Sequence, residues 1–127
     1  MSGIKHLKWL PAAWLLLAAT VHGESSSRLS SRFLARGEQA LLEIAVSNAQ
    51  PSAFPQIPRV EGVTIQLASR EPRPQQLPGR RLEYVFEYLV SSYKTGTHIL
   101  PAIEVMTRGA KNVTEPIEFT VFNPDQF

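Results

Sequence analysis

The residues from Arg81 to Val90 alternate along their whole length: Leu82, Tyr84, Phe86, Tyr88 and Val90 share one side, and Glu83, Val85, Glu87 and Leu89 the other. A period of two belongs to an extended strand with one face on a core, whereas a helix would space its apolar positions three and four apart. The pattern predicts a strand with Leu82, Tyr84, Phe86 and Tyr88 turned inward and Val85 on a wet outer face. Gln39 to Ser47 repeats the pattern, with Ala40, Leu42, Ile44 and Val46 on one side. Its composition would also suit a helix, but Gly37 before it and Asn48 to Pro51 after it are turn chemistry.

Shorter alternating runs occur at Val63–Leu67, Ile103–Val105 and Ile117–Val121, with further short strands expected at Thr97–Leu100 and near Ser31–Ala35. Ser25 to Ser31 has little apolar content and reads as a flexible entry. No helical stretch is available to carry parallel crossovers, and nine of the ten prolines follow residue 23, where they would interrupt helices and central ladders. The expected fold is all-β: an immunoglobulin-like antiparallel β-sandwich of about six or seven strands over residues 24–127.

Met1 to Gly23 reads as a signal peptide. Lys5, His6 and Lys8 precede an apolar run from Trp9 to Ala19, and Val21 and Gly23 stand before Glu24. The run is too short to span a membrane, which takes roughly 18–20 apolar residues. Export to the periplasm or cell envelope is expected, with cleavage near Gly23. Thirteen Lys and Arg stand against eleven Asp and Glu. Two of the thirteen are Lys5 and Lys8, so the rest is formally neutral. A neutral chain lacks the net basic field that nucleic acid requires.

The residue inventory leaves little room for catalysis. Cysteine is absent, which excludes disulfides and thiolate chemistry, and beyond the leader there is a single histidine, His98. The only aspartate, Asp125, lies near the end of the chain, where fraying is expected. His98 reads as a surface or partly buried sheet residue. Glu83 and Glu87 share a strand face about 13 Å apart, too far for a glycosidase pair. They read as a solvated face. Asn112-Val113-Thr114 matches a glycosylation sequon but reads as a turn. No catalytic residue, metal ligand or cofactor site is predicted.

One segment is less ordinary. Between Arg70 and Arg81 four arginines (Arg70, Arg73, Arg80, Arg81) accompany one glutamate, Glu71, and three prolines, Pro72, Pro74 and Pro78. Prolines favour an extended, polyproline-like loop, and guanidinium groups suit carboxylate partners. These arginines are the candidate partner-binding residues, on a segment that reads either as a solvated connector or as a loop for docking an acidic protein or headgroup surface.

The order of these features resembles the amino-terminal region of BatD, the "oxygen tolerance" family of bacterial envelope proteins. A G-E turn appears at Arg36-Gly37-Glu38-Gln39, and a P-x-x-P-x-x-x-G element runs from Pro55 to Gly62. An aromatic strand, Tyr84 to Tyr88, leads into Gly96-Thr97-His98-Ile99-Leu100-Pro101, and the closing strand matches Thr114 to Val121. The resemblance covers about Phe33 to Phe122. It implies a non-enzymatic immunoglobulin-like interaction module linked to aerotolerance and stress resistance. The partners it implies are envelope proteins, including von Willebrand A-type Bat membrane proteins, and a MoxR-type ATPase, with membrane association only through such partners. Members of that family continue through further β-domains to a membrane helix, so a truncated or single-module relative is expected here. The alternatives are a periplasmic carrier of a small ligand and a secreted, adhesion-type β-sandwich.

Overall fold

The alternating runs become strands because each pairs with a neighbour that buries its apolar side. The computed structural model describes residues 24–47, 49–79 and 81–126; the leader reading, Met1 to Gly23, lies outside the described residues. The strands, in chain order, are β1 (Glu24–Leu29), β2 (Phe33–Ala35), β3 (Ala40–Ser47), β4 (Thr64–Leu67), β5 (Arg73–Leu77) and β6 (Arg81–Ser91). They continue as β7 (Gly96–Leu100), β8 (Glu104–Thr107), β9 (Ala110–Val113) and β10 (Ile117–Phe122). One 3-10 turn, Pro124–Gln126, follows, with Asp125 N–H bonded to Asn123 Oδ1 at 3.0 Å. The end of the described chain is thus ordered as a capped turn.

The protein is an all-β sandwich. One sheet runs β1-β3-β6, and the far side of β6 is shared end to end by β4 and β5. The other side of the core is built from β2-β10-β7 and the β8-β9 hairpin. Residues 51–56 lie along that hairpin through bridges from Pro51 to Thr107 and Gln56 to Glu104. Pairing is antiparallel except between β10 and β2, which run parallel.

The core joins both layers. Ala40, Leu42, Ile44, Val46, Phe86, Tyr88 and Val90 face Leu34, Leu100, Ile103, Val105, Ile117, Phe119 and Val121, all buried. Every inward residue predicted for β3 is in that set. Burial pushes the Tyr88 hydroxyl pKa up to about 12, because the phenolate loses its hydration there.

β6 departs from its predicted faces in two places. Leu82 is 44% exposed, because it sits near the tip of the β5-β6 hairpin, where its strand neighbour is the exposed Gln76. Val85, expected on a wet face, is 0% exposed. Ala45 stands across from it on β3 and Arg73 on β5, so it has a strand neighbour on each side.

Three strands replace predicted loops. The Ser25–Ser31 entry is mostly β1, paired with β3 through all six of its residues. The segment expected to be a polyproline-like loop contains β5, and the sequon residues Asn112 and Val113 belong to β9. The actual turn of that last hairpin is Arg108-Gly109, where Gly109 adopts φ +75°. The ten strands among the described residues exceed the predicted six or seven for this reason.

The G-E turn has a local physical cause. Glu38 N–H donates to the Ala35 carbonyl (2.9 Å), and its carboxylate accepts Ala35 N–H (2.8 Å). Gly37 has φ +85°, and a Cβ there would stand 2.9 Å from the Tyr93 ring. Glycine meets both demands.

Candidate interaction surface

The outer face of the β1-β3-β6-β5 sheet carries a row of charges that strand register brings together. Glu43 on β3 stands directly opposite Glu87 on β6, and Arg28 on β1 lies across from Glu43. Two like charges facing across a ladder repel. Arg73 relieves this: its Nη2 lies 3.3 Å from Glu43 Oε2 and 3.6 Å from Glu87 Oε2. Arg28 Nη2 holds the other Glu43 oxygen at 2.7 Å. Arg73 Nη1 also donates to Gln75 Oε1 (2.7 Å), and Gln75 reaches Glu83 at 3.5 Å.

This arrangement divides the four arginines singled out in the sequence. Arg73 is engaged inside the molecule by two carboxylates, so its placement on a free docking loop is corrected. Arg70 is exposed in the bend between β4 and β5, and Arg81 is exposed at the start of β6. Arg80 lies outside the described residues. Arg73 and Arg81 are separated by the length of β5, about 13 Å at ~3.3 Å per residue, so they do not form one patch. Arg28 and Glu43 went unnoticed in the sequence, and Glu87 was read there only as part of a solvated face. Their only signal was a polar position in an alternating strand, and register made them neighbours.

Arg73→Ala is expected to cost about 0.2–1 kcal/mol, the range for exposed ion pairs. Urea unfolding at low and high salt would measure it. The loss should shrink with added salt, since screening weakens what the arginine supplies, and a salt-independent loss would assign it to packing over Val85 instead.

His98 sits on the core-facing side of β7, partly buried, its ring stacked on Phe119 at 5.4 Å and 29°. Its Nε2 lies 2.7 Å from the Lys94 carbonyl and 3.4 Å from Ser92 Oγ. A nitrogen that donates to a carbonyl is protonated, so it cannot take the proton of Ser92. The buried Ser92 hydroxyl instead donates to the Gly62 carbonyl (2.6 Å) and accepts Lys94 N–H (3.0 Å). The group ties the β6-β7 connection to the turn before β4.

The surface also has shallow depressions. A groove of about 270 Å³ is lined by Ile57, Pro58, Arg59, Val60, Val63 and Ile65. Another, of about 210 Å³, lies beside Phe54 and Phe86, whose rings are 5.4 Å apart. Neither a family model, a curated protein nor a solved structure matches this chain.

Proposed function

We propose that the chain is an exported envelope module that acts by binding another protein and catalyses no reaction of its own. In this reading it is a BatD-like, immunoglobulin-like domain, and its partners are envelope proteins such as von Willebrand A-type Bat membrane proteins. The observation carrying the proposal is that Arg70, in the bend between β4 and β5, and Arg81, at the start of β6, are both exposed and without an acidic partner among the described residues. Sandwich domains place recognition on such connections. The motifs behind the family resemblance also have structural work in the fold: the G-E turn closes on itself, and Pro55-Gln56 ends the segment bridged to β8.

The test is cross-linking in the exported fraction, followed by Arg70→Glu with Arg81→Glu. Capture of an envelope protein that is lost in the double variant and weakens as salt rises is the expected result. Capture unchanged in the variant and at high salt would overturn the role given to these arginines.

A further inference from the structure

β4 is a four-residue edge strand with no guard in its sequence but its shortness. Thr64-Ile65-Gln66-Leu67 contains no charge and no proline, two of the devices by which sheet edges resist pairing. β5, on the same side of β6, carries Pro74 and the ion-paired Arg73. The free edge of β1 is approached by the Glu115 carbonyl, which Ser27 Oγ bonds at 3.1 Å.

The phase of the β4 ladder follows from one bond. Ala68 N–H donates to the Glu87 carbonyl at 2.9 Å, in line with the Thr64–Ser91 to Leu67–Tyr88 register. Antiparallel ladders alternate bonded and non-bonded pairs, so Thr64, Gln66 and Ala68 turn their backbone groups toward β6. Ile65 and Leu67 turn theirs outward. Both side chains lie on the core side, opposite Val90 and Tyr88, yet Leu67 is 47% exposed.

We propose that β4 pairs with β4 of a second copy of this chain about a two-fold axis through Gln66. In that register Ile65 exchanges both backbone bonds with the partner's Leu67, and Leu67 with the partner's Ile65. The four outward groups are satisfied with none left over. Shifting by one residue would oppose outward groups to inward ones, and shifting by two would leave some unpaired. The same register packs each Ile65 side chain on the partner's Leu67, beside the groove formed by Ile57, Val60 and Val63. Beyond the ends of β4 the chain bends, and the same two-fold brings the Arg70–Glu71 bend of one copy toward the Lys94–Glu61 ion pair of the other, so that two cations and two anions meet. A two-fold closes the edge and stops at two copies. This pairing goes beyond the proposed envelope role and does not depend on it.

The absence of cysteine gives a direct test on the whole exported protein. Facing residues in a non-bonded antiparallel pair have Cα atoms about 4.5 Å apart, within the disulfide range of about 4.4–6.8 Å. Gln66→Cys should therefore form an intermolecular disulfide on air oxidation. Thr64→Cys should not, because its copies would lie about 13 Å apart at ~3.3 Å per residue. Light scattering should give twice the monomer mass for the natural sequence and the monomer mass for Leu67→Lys, with the circular dichroism spectrum unchanged. A monomer at all concentrations would overturn the proposal. So would equal cross-linking at positions 64 and 66, or a Gln66→Cys product joined only to a different protein.

Discussion

Phe86→Ala is expected to remove about 3–5 kcal/mol of stability, a large share of the roughly 5–15 kcal/mol available to a domain. Phe86 is buried on the core side of β6, opposite Ile44, and its ring meets Phe54 from the 51–56 segment. Truncation leaves a cavity between the layers and strips Phe54 of its aromatic neighbour. The companion substitution, Val85→Thr, adds one hydroxyl to the opposite face at nearly constant volume. Were that face wet, the change would be worth under about 0.5 kcal/mol, as for most surface positions. Since Val85 is fully covered, about 1–3 kcal/mol is expected, the range for burying a hydroxyl without a partner. Urea denaturation measures both, read as a shift in midpoint at constant slope. A loss below about 1 kcal/mol for Phe86→Ala would contradict the layered core.

The second large effect is expected at Thr114→Val. Ile103 and Thr114 flank the β8-β9 hairpin and bond reciprocally: Thr114 N–H to the Ile103 carbonyl, and Ile103 N–H to Thr114 Oγ1, each at 2.9 Å. The side-chain oxygen thus replaces the backbone carbonyl that would continue the ladder. Both residues are buried, so valine, which matches threonine in shape, leaves the Ile103 N–H with no acceptor and no water. An orphaned buried donor costs about 1–3 kcal/mol. Thr114→Ser retains the oxygen and should recover most of the loss in thermal melts. Equal destabilisation by the two substitutions would show that the methyl group, not the bond, matters.

β3, β4, β6, β7, β8 and β10 were legible because each alternates against a core, and the residues Ala40, Leu42, Ile44 and Val46 need no partner to reveal their inner side. β1, β5 and β9 were not. Their sequences, Glu24 to Leu29, Arg73 to Leu77 and Ala110 to Val113, carry few apolar residues, and they become strands by hydrogen bonding to neighbours that do. Proline misled most in β5, since Pro74 is compatible with a strand at a sheet edge. The candidate site was legible only in part. Arginine content marked the Arg70–Arg81 region, but whether an arginine is free or engaged depends on a carboxylate thirty residues away, Glu43, which only strand register brings within 3.3 Å of Arg73.

β1 also bears on how the protein meets proteases. It contributes one large side chain, Leu29, to the core and is held otherwise by its backbone ladder to β3, the Arg28–Glu43 ion pair and the Ser27 bond to the Glu115 carbonyl. The exposed Ser30, Ser31 and Arg32 link it to the opposite layer. A cut at Arg32 would turn β1 into a separate peptide held by noncovalent contacts alone. Its departure would bare the β3 edge and, beside it, Leu42, Ile44 and Val46. Resistance to tryptic nicking at Arg32 is therefore a measure of how long the molecule persists before its most apolar strand becomes available for aggregation.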